Sequence, residues 1–264
     1  MLNLPAQSRR QNQPPEPVMV EITKLKLSPA YQVVSEELQR LIMAGLLKPG
    51  EQLPSETDLA GRFGVNRSTV REGIRQLESE GLLRREGRKR LLIKVPGHGD
   101  ISPRMERALL MHEVTFAALW EVAGALEPLA AACAAERATP AQIAALEANT
   151  AALAEVVARD EASDVLDTEF HTLLAECSGN PALVISREPI GKLLFRPYAE
   201  LQAKVRQAPA RNLEAHRRIL DAIRAHDPGQ AREWMNRHVE DLRRGWLMAG
   251  LSVEDAIEPR PSGG

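Results

Sequence analysis

The stretch that most constrains this chain is Gly50 to Leu83, GEQLPSETDLAGRFGVNRSTVREGIRQLESEGLL. It carries start and stop signals for two short helices joined by a glycine-centred turn. Ser55 is a good N-cap, and Asp58 three residues on completes a capping-box pattern. Leu59 and Phe63 share one face, and Gly64 ends the helix because glycine can take positive φ. Asn66 is placed to cap the second helix, with Val65 and Val70 as a hydrophobic staple. Val70, Ile74 and Leu77 follow the i, i+4, i+7 rule and predict its buried face. Arg67, Arg71 and Arg75 form a second stripe, turned by roughly 90° at 3.6 residues per turn. Gly73 lies near the apolar side, where a missing side chain permits close helix packing, and Gly81 closes the helix. A packed face, an adjacent cationic face and a polar start at Asn66, Ser68 and Thr69 suit a major groove.

An arginine stripe alone is more often the solvated face of an ordinary helix. The residues after it separate the two readings. REGRKR and then LLIKV predict a two-stranded ribbon whose tip, Gly87-Arg88-Lys89-Arg90, is almost entirely basic. Helix, turn, helix and basic hairpin, in that order, make a winged helix. Upstream, Pro29 opens a helix to about Gly45, with Val33, Val34, Leu38, Leu41 and Ile42 on its apolar side. Residues 1–27 show no period and read as a disordered arm, in which Arg9 and Arg10 are read as inert in preference to a DNA contact.

The run LPSE, LA, FGV, RSTVRE and the later GL resembles the winged-helix domain of the GntR family of bacterial transcription regulators, over about residues 29–96. The resemblance implies that Arg67 and Arg71 contact DNA and that Ser68 and Thr69 make polar contacts at the helix start. Two departures stand out. Thr57 occupies a place where many relatives carry Arg, and Lys89 and Arg90 crowd a wing tip that is often small.

The 264-residue chain has a net charge of only −2, which by itself does not suggest a nucleic-acid binder. Its distribution is more telling. Residues 1–95 hold 16 Lys and Arg against 11 Asp and Glu, and the remainder holds 18 against 25. A basic reader joined to an acidic partner domain fits a regulator. Cys133 and Cys177 read as reduced core residues of a cytoplasmic protein. No apolar run approaches the ~20 residues of a membrane helix, so no membrane partner is expected.

Pro96 to Asp100 is a composition break, giving an expected linker over 97–103. Beyond it every segment is helical in pattern. Helices are expected from about Pro103 to Arg137 (broken near His112-Glu113), from Thr139-Pro140, over Ala162–Cys177, from Pro181 to Gln207 with interruptions at Pro189 and Pro197, over Pro209–His226, and from Gln230 to Met248. The fold class is therefore mainly α. A winged helix-turn-helix domain (28–96) precedes an all-α bundle of six or seven helices (104–250), followed by a disordered tail (251–264).

Bundle cores build metal sites from facing helices. Asp167 and His171 stand four apart on one helix and point the same way. His216 lies on an inward face with Ile219, Leu220 and Ile223, and His238 with Trp234, Met235 and Leu242. Three imidazoles and a carboxylate suit a divalent metal, Zn²⁺ first and Ni²⁺, Mn²⁺, Co²⁺ or Fe²⁺ as alternatives. A hydrogen-bonded core histidine is the competing reading of each. DTEFHTLLAECSGNP, NLEAHRRILDAI and AREWMNRHVEDL resemble the three signature segments of the FCD ligand-binding domain, which marks the FadR branch of the GntR family, over about residues 105–248. The resemblance implies that Asp167, His171, His216 and His238 bind the metal at the floor of an effector pocket that takes a small carboxylate. It also implies a homodimer reading a palindromic double-stranded DNA operator. Relatives commonly carry an Arg on the first bundle helix where this chain has Ala123, so Arg187 and Arg196 become candidate effector ligands, against a plain surface reading.

The sequence thus points to a DNA-binding regulator, a repressor in the commoner family arrangement, and not an enzyme. The alternative is a metal-dependent hydrolase with a nucleic-acid-binding appendage, since three His and an Asp can hold a catalytic metal. It lacks a partnered nucleophile and a general base at motif spacing. A metal that merely stiffens the bundle is a third reading.

Overall fold

The structure, a computed structural model, describes residues 28–87, 90–195 and 198–258. The first unit comprises α1 (Ala30–Met43), α2 (Glu56–Phe63), α3 (Arg67–Ser79), β1 (Leu83–Glu86) and β2 (Arg90–Ile93). Local signals act where the sequence places them. The Ser55 hydroxyl accepts from the Asp58 N–H at 3.2 Å and donates to the Asp58 carboxylate at 2.6 Å. Gly64 takes φ +65° at the turn into α3. Asn66 occupies the N-cap of α3, but its side chain makes no capping hydrogen bond. Val34, Leu38, Leu59, Val70, Ile74, Leu77, Leu83 and Ile93 form one core. A Cβ at Gly73 would lie 2.9 Å from the Tyr31 carbonyl, so α1 and α3 pack closely only because that side chain is absent. The wing is an antiparallel pair, with Leu83 opposite Ile93 and Glu86 opposite Arg90.

The expected linker is largely helical. Helix α4 (His98–Met111) begins at His98, because the Asp100 carboxylate accepts the Gly97 N–H at 2.8 Å and closes the helix start. Pro103 sits inside α4, not at its head. The break at His112-Glu113 is present, with Glu113 at φ 52°, and Thr115 caps α5 (Phe116–Arg137). Next come α6 (Pro140–Ala158), α7 (Asp164–Cys177), α8 (Pro181–Leu194), α9 (Tyr198–Lys204), α10 (Ala208–Arg224) and α11 (Pro228–Met248). Pro189 does not interrupt α8. The bundle therefore has eight helices among the described residues, more than the six or seven expected.

Helix α5 is the axis of the bundle and packs against α7, α8, α10 and α11. Ala130, Ala131, Ala134 and Ala135 are fully buried along it, and small side chains let neighbours approach closely. Contrary to the sequence expectation, α5 is long and apolar enough to cross a membrane by length and composition. Its place inside the bundle accounts for that composition. The expected disordered tail is also partly ordered: Ile257 is buried and donates its N–H to the Val114 carbonyl, while Val253 accepts from Ala117. Cys133 and Cys177 are buried and unbridged.

Candidate metal centre and nucleic-acid interface

On α3, Arg67, Arg71 and Arg75 lie on an exposed face beside the buried one, with side chains 62%, 44% and 65% exposed. Ser68 is exposed and Thr69 half-buried at the helix start. A residue absent from the sequence reading organises this face. Glu56, at the head of α2, accepts from Arg67 Nε at 3.0 Å and Arg71 Nη2 at 2.9 Å. Those hydrogen bonds, Arg71's foremost, lower the Glu56 pKa against the opposing effect of burial. Its signal lay in the PSE run, read only for its cap. Arg90 is exposed beside the wing tip and pairs with Glu86 at 3.3 Å. Arg88 and Lys89 lie outside the described residues.

Asp167 and His171 from α7, His216 from α10 and His238 from α11 converge in the bundle core. All four are buried, and one ligand atom from each lies within 4.8 Å of the others. His171 Nε2 stands 3.1 Å from His238 Nε2. Asp167 Oδ2 and both ring nitrogens of His216 are buried without a hydrogen-bond partner. His216 Nε2 lies 3.3 Å from Asp167 Oδ1 but lacks hydrogen-bond alignment. Buried lone pairs facing one another without protons between them are costly in a bare core. A cation among them removes that cost, so the donor set fits a divalent metal.

The surroundings hold these groups in ligand form. Burial lowers the His216 pKa and, more strongly, that of His238, favouring neutral imidazoles. Burial works to raise Asp167, yet His216 and the charges of His171 and His238 outweigh it and keep the carboxyl well below its ordinary range. Asn212 donates to Asp167 Oδ1 at 2.7 Å, and Phe170 stacks on His216 with centroids 3.7 Å apart. Glu127, on α5, accepts from His171 Nδ1 at 2.9 Å and from Arg187 Nε at 2.9 Å. The sequence reading named neither Asn212 nor Glu127 as a site residue; a lone acid or amide on an apolar helix gives no local signal of its partner.

Arg187 is not a surface residue. Its side chain is 2% exposed and also donates to Glu188 Oε2 at 3.1 Å. Glu188 in turn lies 3.5 Å from His98 Nδ1, in the first turn of α4. Hydrogen bonds thus run from His171 through Glu127 and Arg187 to Glu188, which stands near His98 without forming a hydrogen bond to its Nδ1. Arg196 lies outside the described residues, and Ala123 is buried on α5. Between α10 and α11 a groove of about 1040 Å³ reaches inward to His238 and is lined by Arg211, Trp234, Arg237 and Asp241.

A winged head with an exposed arginine stripe, joined to a helical bundle with a buried ligand cluster, defines an effector-responsive DNA-binding regulator. Comparison with known proteins agrees. Residues 30–93 match the family described as bacterial regulatory proteins, gntR family, and residues 118–241 match the FCD domain. The chain is 33% identical over 231 residues to the HTH-type transcriptional repressor NanR of Edwardsiella tarda, covering 85% of this chain and 87% of that one. It is 31% identical over 242 residues to the protein of the same name from Escherichia coli K12, covering 88% and 89%. A solved structure titled Streptococcus agalactiae GntR superposes with a TM-score of 0.64 at 27% identity, over 81% of this chain and 99% of that one. The chain belongs to the GntR family and carries an FCD domain of the FadR-like subfamily. It is a DNA-binding transcription regulator under the control of a small-molecule effector.

Proposed function

We propose that this protein is a cytoplasmic, homodimeric repressor whose hold on a palindromic operator is set by a small organic acid bound beside a divalent metal, Zn²⁺ first. The observation that carries the metal reading is the meeting of Asp167, His171, His216 and His238 within 4.8 Å in a buried core. Three nitrogens and one carboxylate leave coordination positions for water or an anion, and a bound ion would supply Lewis acidity to an effector carboxylate. Glu127 orients His171, as carboxylates do for metal-bound histidines. Asn212 holds Asp167. Repression is the role named for the two NanR relatives.

On α3, Asn66, Arg67, Ser68, Thr69, Arg71 and Arg75 form the reading surface, with Arg88, Lys89 and Arg90 at the wing. Two such heads would read half-sites whose spacing mirrors the dimer axis. Effector and operator then act as linked ligands, each favouring a different placement of the heads. Coupling of about 1–3 kcal/mol changes operator affinity about 5- to 150-fold. The contacts from His171 through Glu127, Arg187 and Glu188 to His98 support such linkage, because they join the site to α4. Buried free cysteines suit a reducing compartment. The regulator reading is favoured over a metal-dependent hydrolase because the chain belongs to a family of regulators.

The test is metal analysis of tag-free protein purified without chelator, beside Asp167→Ala/His171→Ala. About one metal ion per chain, lost in the double variant, supports the site. No metal in either sample, and no uptake of Zn²⁺ or Ni²⁺, overturns it.

A further inference from the structure

We infer that Arg211 is the cation that receives the effector's carboxylate, held between Arg211 and the metal-ligand cluster. The inference rests on the effector reading above and names the residue that makes that site selective for anions.

Among the described residues, two arginines of the bundle bury an Nη2 that has no hydrogen-bond partner, Arg187 and Arg211. They differ in what surrounds them. Arg187 is committed to Glu127, Thr172 and Glu188, and a side chain placed at Gly191 would collide with its Nη2. The α8 backbone covers that nitrogen, so no ligand can reach it. Arg211 instead lines a small void together with Asp167, Asn212 and His238. It also lines the open groove of about 1040 Å³ that reaches His238. Arg211 therefore stands where the groove meets two of the metal-ligand side chains.

Its charge is incompletely answered. Arg211 Nε bonds Asp241 at 3.0 Å, but Asp241 also pairs with Arg244, so one carboxylate serves two guanidinium groups. An unpaired buried donor with surplus positive charge favours an acceptor that is itself negative. No cation comes from α5, because Ala123 stands there.

The probes are acetate and its uncharged isostere acetamide, titrated into full-length zinc-loaded protein and followed by saturation-transfer NMR. Acetate should bind and acetamide should not. Arg211→Gln should weaken acetate about 10- to 150-fold, the range for a hydrogen bond to a charged group, and Arg211→Lys should recover part of it. Asp241→Asn, which frees the guanidinium, should tighten acetate; it keeps the test open if Arg211→Gln fails to fold. Wild-type acetate affinity in a folded Arg211→Gln overturns the inference. If Asp167→Ala/His171→Ala has then lost acetate, the metal alone takes the anion and the effector reading survives. Equal binding of acetate and acetamide by the wild type also overturns it. Arg211-dependent acetate binding in protein that takes no zinc upholds Arg211 and removes the metal reading.

Discussion

His171 Nδ1 lies 2.9 Å from Glu127 Oε2, with both side chains sealed from solvent. Donation from Nδ1 to a carboxylate leaves the Nε2 lone pair facing the cluster, where His238 Nε2 is 3.1 Å away. Glu127→Gln keeps the shape but removes the charge that makes His171 a better ligand. Zinc affinity should fall about 10- to 100-fold, as for other partners of metal-bound histidines. Competition with a chromophoric chelator measures it; unchanged affinity would count against the role of Glu127.

The same carboxylate makes stability depend on pH in metal-free protein. Burial alone would raise its pKa, but Arg187 and His171 outweigh burial and bring it from 4.5 to about 2. A depressed carboxylate contributes fully above its unfolded value, and the contribution is lost as pH falls through the folded value. Stability should therefore decline between about pH 4.5 and 2, with a shallower decline in Glu127→Gln. Urea unfolding at stepped pH gives both slopes, and equal slopes would refute the assignment. Asp167 is shifted in the same direction and contributes alike to both proteins.

Glu56 holds Arg67 and Arg71 side by side on the exposed face of α3. Arg71→Ala should weaken operator binding and reduce the dependence of log affinity on log salt by about one ion per head. Helical content should be unchanged, since the side chain is on the solvent side. Fluorescence anisotropy over a salt series decides it; an unaltered affinity would mean that α3 is not the reading helix.

Gly73→Ala places a methyl 2.9 Å from the Tyr31 carbonyl and 3.1 Å from Val34 Cγ1. Overpacking of this kind costs about 1–3 kcal/mol. The winged head should lose that stability while zinc uptake by the bundle is retained. A thermal melt matching the wild type would show that α1 and α3 are looser than the structure has them.

Glu188 accepts from Arg187 at 3.1 Å and stands 3.5 Å from His98 Nδ1 without a hydrogen bond, between the Asp167/His171/His216/His238 cluster and α4. Zinc loading should slow hydrogen exchange along residues 98–111, and Glu188→Gln should reduce that protection. Equal protection in the two proteins would show that α4 does not sense the site through this contact.

What the sequence determined by itself is what short-range geometry determines. Ser55 starts a helix with its own hydroxyl, Gly64 and Gly81 end helices through their own backbones, and residues four apart share a helix face wherever the helix lies. The arginine stripe and the Asp167–His171 pair were legible for that reason. So was the inward set of each later histidine, from its apolar neighbours. Some local features still escaped: His98 to Pro103 read as linker because Gly and Pro are weak helix formers, yet Asp100 closes a cap there. Only the tertiary structure decided which faces meet. Glu127 reaches His171 across 44 residues and Arg187 across 60, and neither spacing has a periodic signature. An arginine on a helix has the same pattern whether water or a buried carboxylate receives it. Arg187 stood between an effector ligand and a surface residue, and Glu56 went unread, until packing supplied their partners.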